Sequence, residues 1–485
     1  MCAMILDKFH KAHLEETTIY LRENAESHAK LRGRNKYFRN EVNRVIGSQI
    51  RTQSSVLDLG CGDGGTLQYL KPAQGLGVDL ENSVLQKVTD DGSTNSHIVT
   101  SSIEEFEAEL SLSRPDYIVL SGVLEHVYDV KKIFEKVYDL SSFNTRIIVV
   151  TYSRLWQPIL RLAEAMRLKS SLPTQNWIPI EELKNLAELA GLDLIKSQRA
   201  ILIPIYIPLV SHFVNRWIAP LPGIRHLDFA HVSVLRKPDA PTPVSSVAIV
   251  IAARNEAGNI SEILERMPAL APQQEVIFVE GESQDDTWAV IEETCKELQG
   301  SNYPFKLKWI QQPGIGKGDA VRAGFSIAES DVLIILDADL SVPPEELPDF
   351  IEMLGTGKAE FANGSRLVYG MEGGSMRFLN LVGNRFFGSL FTFLLGQRLR
   401  DTLCGTKALT RNNYQKIASN RALFGDFDPF GDFDLLFGAA ALNLKIRDQP
   451  VHYKARTYGS TNISRFRHGI LLIKMSWIAA RKIRF

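Results

Sequence analysis

The chain has 485 residues, 45% hydrophobic and 23% charged, with 55 Lys and Arg against 56 Asp and Glu for a formal net charge of -1. That length allows two or three domains with separate cores, and the balanced charge excludes the basic footprint of a nucleic-acid binder. Cys2, Cys61, Cys295 and Cys404 are scattered without a C-x-x-C pair, which argues against a disulfide framework or a zinc site and for a reducing cytoplasm.

Met1–Gln53 reads as helical and polar, with a basic amphipathic stretch at Leu31–Ile46. It has no apolar core of the kind a signal peptide needs, and no later stretch reaches the roughly 18 apolar residues of a membrane span. Strands then alternate with helices, at Ser55–Gly60, Leu76–Leu80, Ile98–Ser102, Tyr117–Leu120 and Arg146–Thr151, a parallel doubly wound α/β pattern. Leu192–Arg199 and His231–Arg236 are the expected last two strands. VLDLGCGDGG (Val56–Gly65) is a strand running into a Gly-rich turn, and GVDL (Gly77–Leu80) ends the next strand. The glycines let backbone approach a nucleoside, and Asp79 is placed to accept ribose hydroxyls.

Together with YIVLSGVLEHV (Tyr117–Val127), these motifs resemble a class I S-adenosylmethionine (SAM) methyltransferase over about Leu31–Lys237. The resemblance implies a seven-stranded Rossmann-like sheet closed by an antiparallel pair, with SAM as cofactor. Asp58, Gly60 and Gly62 would line its methionine and ribose side and Asp79 its ribose hydroxyls. Ser102-Ile103 stands where many relatives carry an adenine-contacting Asp. His126, after the fourth strand, is a candidate general base, or a helix-start histidine packed near SAM. Ala200–Ala230 is too long for a hairpin loop and rich in Pro and apolar residues, so it reads as an insertion shaping the acceptor site or packing on a second domain. Its AILIPIYIPLV run (Ala200–Val210) is either core or a surface that meets lipid.

KPDAPTPVSS (Lys237–Ser246) carries three prolines and reads as a semi-rigid linker. The expected domains are therefore 1–237 and 247–485, joined by 238–246. Beyond it, Val247–Met267 gives a strand, Asn255-Glu256 and an amphipathic helix. EVIFVEGESQDDT (Glu275–Thr287) is a strand ending in acids, and GIGKGDAVRAGF (Gly314–Phe325) sets Lys317 in a Gly-rich turn before a helix. Such a turn brings N–H groups and an ammonium to phosphate oxygens. The strand Val332–Leu336 runs into Asp337-Ala338-Asp339, two carboxylates spaced to share one hard cation, Mg²⁺ or Mn²⁺, whose shell a diphosphate completes.

These motifs, in this order, resemble a family-2 glycosyltransferase of the GT-A fold, in particular the dolichyl- or polyprenyl-phosphate sugar transferases, over Val247 to about His468. The resemblance implies a nucleotide-sugar donor and a glycan or polyprenyl-linked acceptor. It places Asn255, Glu256 and Glu280 at the nucleoside, Lys317 and Arg366 at phosphate, Asp337 with the donor, and Asp337 and Asp339 on the metal. The usual V-D-D-G-S reads V-E-G-E-S here, which leaves the choice of uridine or guanosine open. Asp401 and Lys407, in RDTLCGTKALTR (Arg400–Arg411), are expected near the donor sugar. The candidate bases, in order, are Asp432, Asp401 and Asp434. In RTYGSTNISRFRHG (Arg456–Gly469) Asn462 replaces the usual Lys, with Arg465, Arg467 and His468 nearby to compensate. The apolar, basic-ended Gly469–Phe485 implies peripheral contact with the inner face of the membrane. Two complete motif sets suggest a bifunctional enzyme that transfers sugar, by inversion, and methyl in one pathway. The competing readings are a glycosyltransferase with a non-catalytic SAM-fold docking or sensing module, and a membrane-surface scaffold with both sites inert.

Overall fold

The computed structural model describes residues 2–24, 30, 33–80, 96–106, 114–166, 175–369, 378–421, 431–454, 458 and 473–480. The chain divides into two compact units, Met1–Pro238 and Asp239–Phe485.

The first unit holds seven strands: β1 (Ser55–Leu59), β2 (Gln74–Asp79), β3 (Ser96–Thr100), β4 (Tyr117–Ser121), β5 (Arg146–Tyr152), β6 (Asp193–Ala200) and β7 (Ala230–Arg236). Their order is β3-β2-β1-β4-β5-β7-β6. The first five strands are parallel, and β7 runs antiparallel to both β5 and β6. The central strands are apolar runs because helices cover both faces. Leu57 and Leu59 pack with Ile133, Phe134 and Val137 on one face, and Val56 packs with Val42, Val45 and Ile46 on the other. The helix Val130–Leu140 starts where the Asp129 side chain accepts from the Lys132 N–H at 3.2 Å. An N-cap of this kind satisfies a donor that the first helical turn leaves unpaired. Strand ends differ from the sequence expectation by one or two residues, as fraying ends do. The insertion between β6 and β7 folds into three short helical pieces, Val210–Phe213, Val214–Ile218 and Ile224–Leu227.

The second unit also carries seven strands: β8 (Ser246–Ala253), β9 (Gln273–Glu280), β10 (Lys306–Gln311), β11 (Val332–Asp337), β12 (Phe361–Ser365), β13 (Lys407–Thr410) and β14 (Ile446–Pro450). They are ordered β10-β9-β8-β11-β13-β12-β14. β10, β9, β8 and β11 are parallel, β13 is antiparallel to its neighbours β11 and β12, and β14 is parallel to β12. The Pro-rich segment is bonded into this unit. Thr242 N–H donates to the Gly355 carbonyl at 2.8 Å, and the Ser245 and Ser246 hydroxyls each donate to Asp331 at 3.0 Å. Among the described residues, no helix is long and apolar enough to cross a membrane.

Candidate active sites

In the first unit, β1 ends in a turn where Gly60, Gly62 and Gly64 all take positive φ, at 78°, 56° and 70°. A side chain at Gly60 would put its Cβ 1.8 Å from Val123 Cγ2, so only glycine fits this backbone. At Gly62 a Cβ would meet nothing within 4 Å among the described residues. The Gly62 N–H donates to Asp79 Oδ2 at 2.8 Å, tying the turn to the end of β2. Arg39, on the helix Lys36–Gly47, forms an ion pair with Asp63 and braces the same turn from outside, with Nη1 2.8 Å from Asp63 Oδ2.

Asp58 is fully buried at the C-terminal half of β1, and among the described residues neither of its carboxylate oxygens has a partner. Burial, reinforced by the charges of Asp79 and Asp63, pushes this carboxyl up to about 7. An orphaned buried carboxyl beside a cradle of left-handed glycines is what a cationic, hydroxyl-bearing nucleoside would satisfy, so the residues present fit SAM. His126 follows β4, half-buried, and its backbone carbonyl accepts from His13 Nε2 at 3.0 Å. Ser102 and Ile103 are buried beyond β3. One histidine escaped the sequence reading. His231 on β7 is buried one residue inside the same sheet edge, and burial, with the charge of Arg199, pushes its imidazole down to about 4. No sequence motif marks it, because its place depends on the antiparallel return of β7.

In the second unit, the C-terminal ends of β8, β9 and β11 gather the candidate residues. Asn255 takes φ 57°. Its N–H donates to the Ser283 hydroxyl at 3.0 Å, and its Oδ1 accepts from Gln284 N–H at 2.7 Å. Glu280 is buried and accepts from Ser283 N–H at 2.6 Å. Glu256 is buried, its N–H donating to the Thr287 hydroxyl at 2.9 Å and its carboxylate accepting from Asn259 at 2.7 Å. The three residues thus shape one β8–β9 edge through each other's loops.

Lys317, the first residue of the helix Lys317–Ile327, forms an ion pair with Asp337 at the end of β11. Burial pushes the Asp337 carboxyl up, but the charges of Lys317, Lys407 and Arg366 outweigh it and hold the group below the usual carboxylate range. Asp339 is buried and accepts from Ser341 N–H at 3.0 Å. Among the described residues, no three His, Cys, Asp or Glu side chains cluster closely enough to hold a metal by themselves. Asp337 and Asp339 supply the hard oxygen donors that Mg²⁺ or Mn²⁺ takes, and two carboxylates leave the remaining positions to phosphate and water. The pair therefore fits a metal brought in with a diphosphate.

The sequence reading missed Gly405. A Cβ there would lie 2.2 Å from both Asp337 Oδ2 and Lys317 Nζ, so the Lys317–Asp337 pair rests directly on this glycine. The signal is the place of Gly405 between Asp401 and Lys407 in RDTLCGTKALTR. Lys407 is fully buried and donates to the Cys404 carbonyl.

Arg366 and Asp401 form a bidentate pair, Nε to Oδ2 at 2.7 Å and Nη2 to Oδ1 at 2.9 Å. Asp401 is fully buried and also accepts from Arg366 N–H at 3.1 Å, Asn384 at 2.9 Å and Leu403 N–H at 3.0 Å. Burial alone would raise this carboxyl, but Arg366 and these donors hold it at about 2. Asp434 is buried on the helix Asp432–Ala441 and accepts from Arg421 Nε at 2.7 Å. Asp432 opens that helix, and its side chain lies outside the described residues, as do Asn462, Arg465, Arg467, His468, Gly469–Leu472 and Arg481–Phe485. Beside the Arg366 loop lies a cleft of about 520 Å³, with Leu367, Arg385, Thr392, Arg398 and Arg400 among its walls.

Residues 30–197 match the model of a methyltransferase domain family, and residues 248–417 match that of glycosyl transferase family 2. An undecaprenyl-phosphate 4-deoxy-4-formamido-L-arabinose transferase of Pseudomonas fluorescens is 37% identical over 121 residues, 24% of this chain and 34% of that protein. A dolichol-phosphate mannosyltransferase of Pyrococcus furiosus is 35% identical over 127 residues, 26% of this chain and 34% of its own length. The chain thus spans about a third of the length of these relatives. A dolichyl-phosphate hexose transferase of Haloferax volcanii is 27% identical over 231 residues, 47% of this chain and 91% of that protein. Among solved structures, a SAM-dependent methyltransferase of Thermotoga maritima aligns with 45% of this chain and 97% of its own, at 12% identity and TM-score 0.36. Glucosyl-3-phosphoglycerate synthase of Mycobacterium tuberculosis aligns with 49% of this chain and 80% of its own, at 18% identity and TM-score 0.35. The chain thus matches a methyltransferase domain in its first unit and glycosyl transferase family 2 in its second.

Proposed function

We propose that this chain is a bifunctional transferase. Its second unit moves a sugar from a nucleotide donor to a polyprenyl-phosphate or lipid-linked glycan acceptor, and its first unit methylates a product of the same pathway. The observation that carries the sugar-transfer reading is the Lys317–Asp337 pair seated on Gly405 at the mouth of β11. In the absence of donor, Lys317 supplies the positive charge that Asp337 requires. Asp337 and Asp339 would hold a divalent cation brought in with the donor, and Lys317 would pair with the diphosphate. The cation would neutralise the departing nucleoside diphosphate.

Arg366, oriented by Asp401 through Nε and Nη2, would turn its Nη1 edge to phosphate. A guanidinium suits that task because its fork matches two oxygens at once. The adjoining cleft carries Arg385, Arg398 and Arg400, the charge an anionic acceptor would need. The five donors on Asp401 favour a positioning role for this residue, which leaves Asp432 as the proposed base where the acceptor is a hydroxyl. A phosphate acceptor is already ionised at neutral pH and needs little help. In the first unit, Asp58 and the Gly60–Gly64 turn would hold the methionine end of SAM and Asp79 its ribose. Proximity of sulfonium and acceptor supplies most of the rate in such transfers.

The test is transfer of radiolabelled sugar to a short-chain polyprenyl phosphate with Mg²⁺ or Mn²⁺, alongside methyl incorporation from labelled SAM into the product. Sugar transfer lost in Asp339→Asn supports the metal assignment, and unchanged transfer refutes it. Sugar transfer without methyl incorporation into any glycan would favour a SAM-fold docking or sensing module.

A further inference from the structure

The insertion between β6 and β7 is built inside out. Two of its polar side chains, Asn215 and Ser211, point inward and bond its own backbone. Asn215, only 2% exposed, accepts from the N–H groups of Leu202 and Ile203 at 2.9 and 2.8 Å and donates to the Ile203 carbonyl at 2.8 Å and the Tyr37 hydroxyl at 3.1 Å. Ser211, fully buried, accepts from Ile207 N–H at 2.8 Å and donates to the Ile205 carbonyl at 2.7 Å. With these bonds and the fixed φ of Pro204 and Pro208, the loop is a rigid tip. The apolar side chains from Ile205 to Val210 point the other way. Every residue from Ile205 to Val210 is exposed, Leu209 at 88%. Phe213 and Trp217 continue the face at helical spacing from Val210, and both are exposed. An apolar surface this continuous, held by a buried polar scaffold, marks an interface.

Charge selects the occupant. Ile201–Leu227 contains no Asp or Glu. Its basic residues are His212, Arg216, Arg225 and His226, and Arg216 is exposed between Phe213 and Trp217. A second copy of the chain docked through the same face would set Arg216 and Arg225 against their own copies, because a two-fold contact repeats one patch on both sides. An anionic bilayer offers both partners at once: hydrocarbon for Leu209, Phe213 and Trp217, and phosphate headgroups for Arg216. We infer that this tip of the methyltransferase unit inserts into an anionic membrane surface. This surface lies on a different unit from the apolar C-terminal segment and stands independently of the sugar-transfer reading.

The test is co-flotation of the full-length protein with phosphatidylcholine vesicles, with and without phosphatidylglycerol, for wild type, Leu209→Glu/Trp217→Glu and Arg216→Glu. Thermal unfolding checks each variant's fold, and light scattering its mass. Wild type is expected to float with anionic vesicles only, and less so in high salt because screening weakens headgroup attraction. The double variant is expected to lose about tenfold or more in vesicle affinity without a change in unfolding temperature, since its side chains are exposed. Arg216→Glu should reduce binding to anionic vesicles alone. If wild type fails to float, if the variants float as wild type does, or if the double variant changes only the oligomeric mass, the inference is overturned.

Discussion

Asp401→Asn separates two roles that the sequence left open for this residue. The substitution keeps the volume, removes the charge and turns one acceptor oxygen into a donor nitrogen. Each Asp401 oxygen faces donors only: Arg366 Nε and N–H on Oδ2, and Arg366 Nη2, Asn384 and Leu403 N–H on Oδ1. Either amide orientation therefore sets an NH₂ against other donors, and the largely buried Arg366 loses its counter-charge. Breaking one side of a buried pair costs about 3 to 5 kcal/mol. The depressed carboxyl leads to a related figure. Held at about 2 in the fold, against 3.8 in the open chain, it contributes about 2 to 3 kcal/mol above pH 4. That contribution disappears as pH falls from about 4 toward 2. Urea unfolding at pH 7 should show the variant less stable by about 3 kcal/mol or more, with the wild-type advantage shrinking below pH 4. A variant within about 0.5 kcal/mol of wild type that nevertheless loses sugar transfer would refute the positioning role and make Asp401 the base.

Four further outcomes follow from the two sites. Gly405→Ala places a methyl group against Lys317 and Asp337, so donor titration by calorimetry should show binding weakened at least about tenfold while SAM binding is unchanged. Lys317→Gln should raise the KM for the nucleotide sugar more than it lowers kcat if the ammonium grips the diphosphate in the ground state, which steady-state kinetics reads directly. Asp58→Asn should stabilise the ligand-free protein at pH 8 while weakening SAM. A carboxyl raised to about 7 in the fold loses stability progressively as pH climbs from about 4 to 7, where the open chain is already ionised, and thermal unfolding across that range should show the gap widening with pH. Gly60→Ala should impair both folding and SAM binding of the first unit, because its methyl group would overlap Val123, and circular dichroism should register the loss.

The strands were legible because the central ones are buried on both faces and read as continuous apolar runs. Val332–Leu336 and Ile147–Val150 needed no context to be placed. The Gly60–Gly64 turn was legible because positive φ selects glycine. Sequence alone did not reveal relations made by tertiary return. His231 reaches the sheet edge only because β7 runs antiparallel, Arg39 meets Asp63 across 24 positions, and Gly405 touches Lys317 from a loop 88 residues away. The Pro-rich stretch reads as a semi-rigid linker, yet Thr242 and Ser245 bond it to the second unit through partners distant in sequence. The insertion carried the opposite ambiguity. An apolar run with two prolines suits core or surface equally, and the buried Asn215 and Ser211 tip the balance to surface.

Two independent donor sites on one chain is the claim on which the account rests. Calorimetric titration of the full chain with S-adenosylhomocysteine, and separately with UDP- and GDP-sugars plus Mn²⁺, tests it most directly. The account predicts that S-adenosylhomocysteine and one nucleotide class each bind at one site per chain, that Asp58→Ala weakens only the first, and that Lys317→Gln weakens only the second. Failure of S-adenosylhomocysteine to bind folded wild-type protein, or failure of both nucleotide classes, would contradict it.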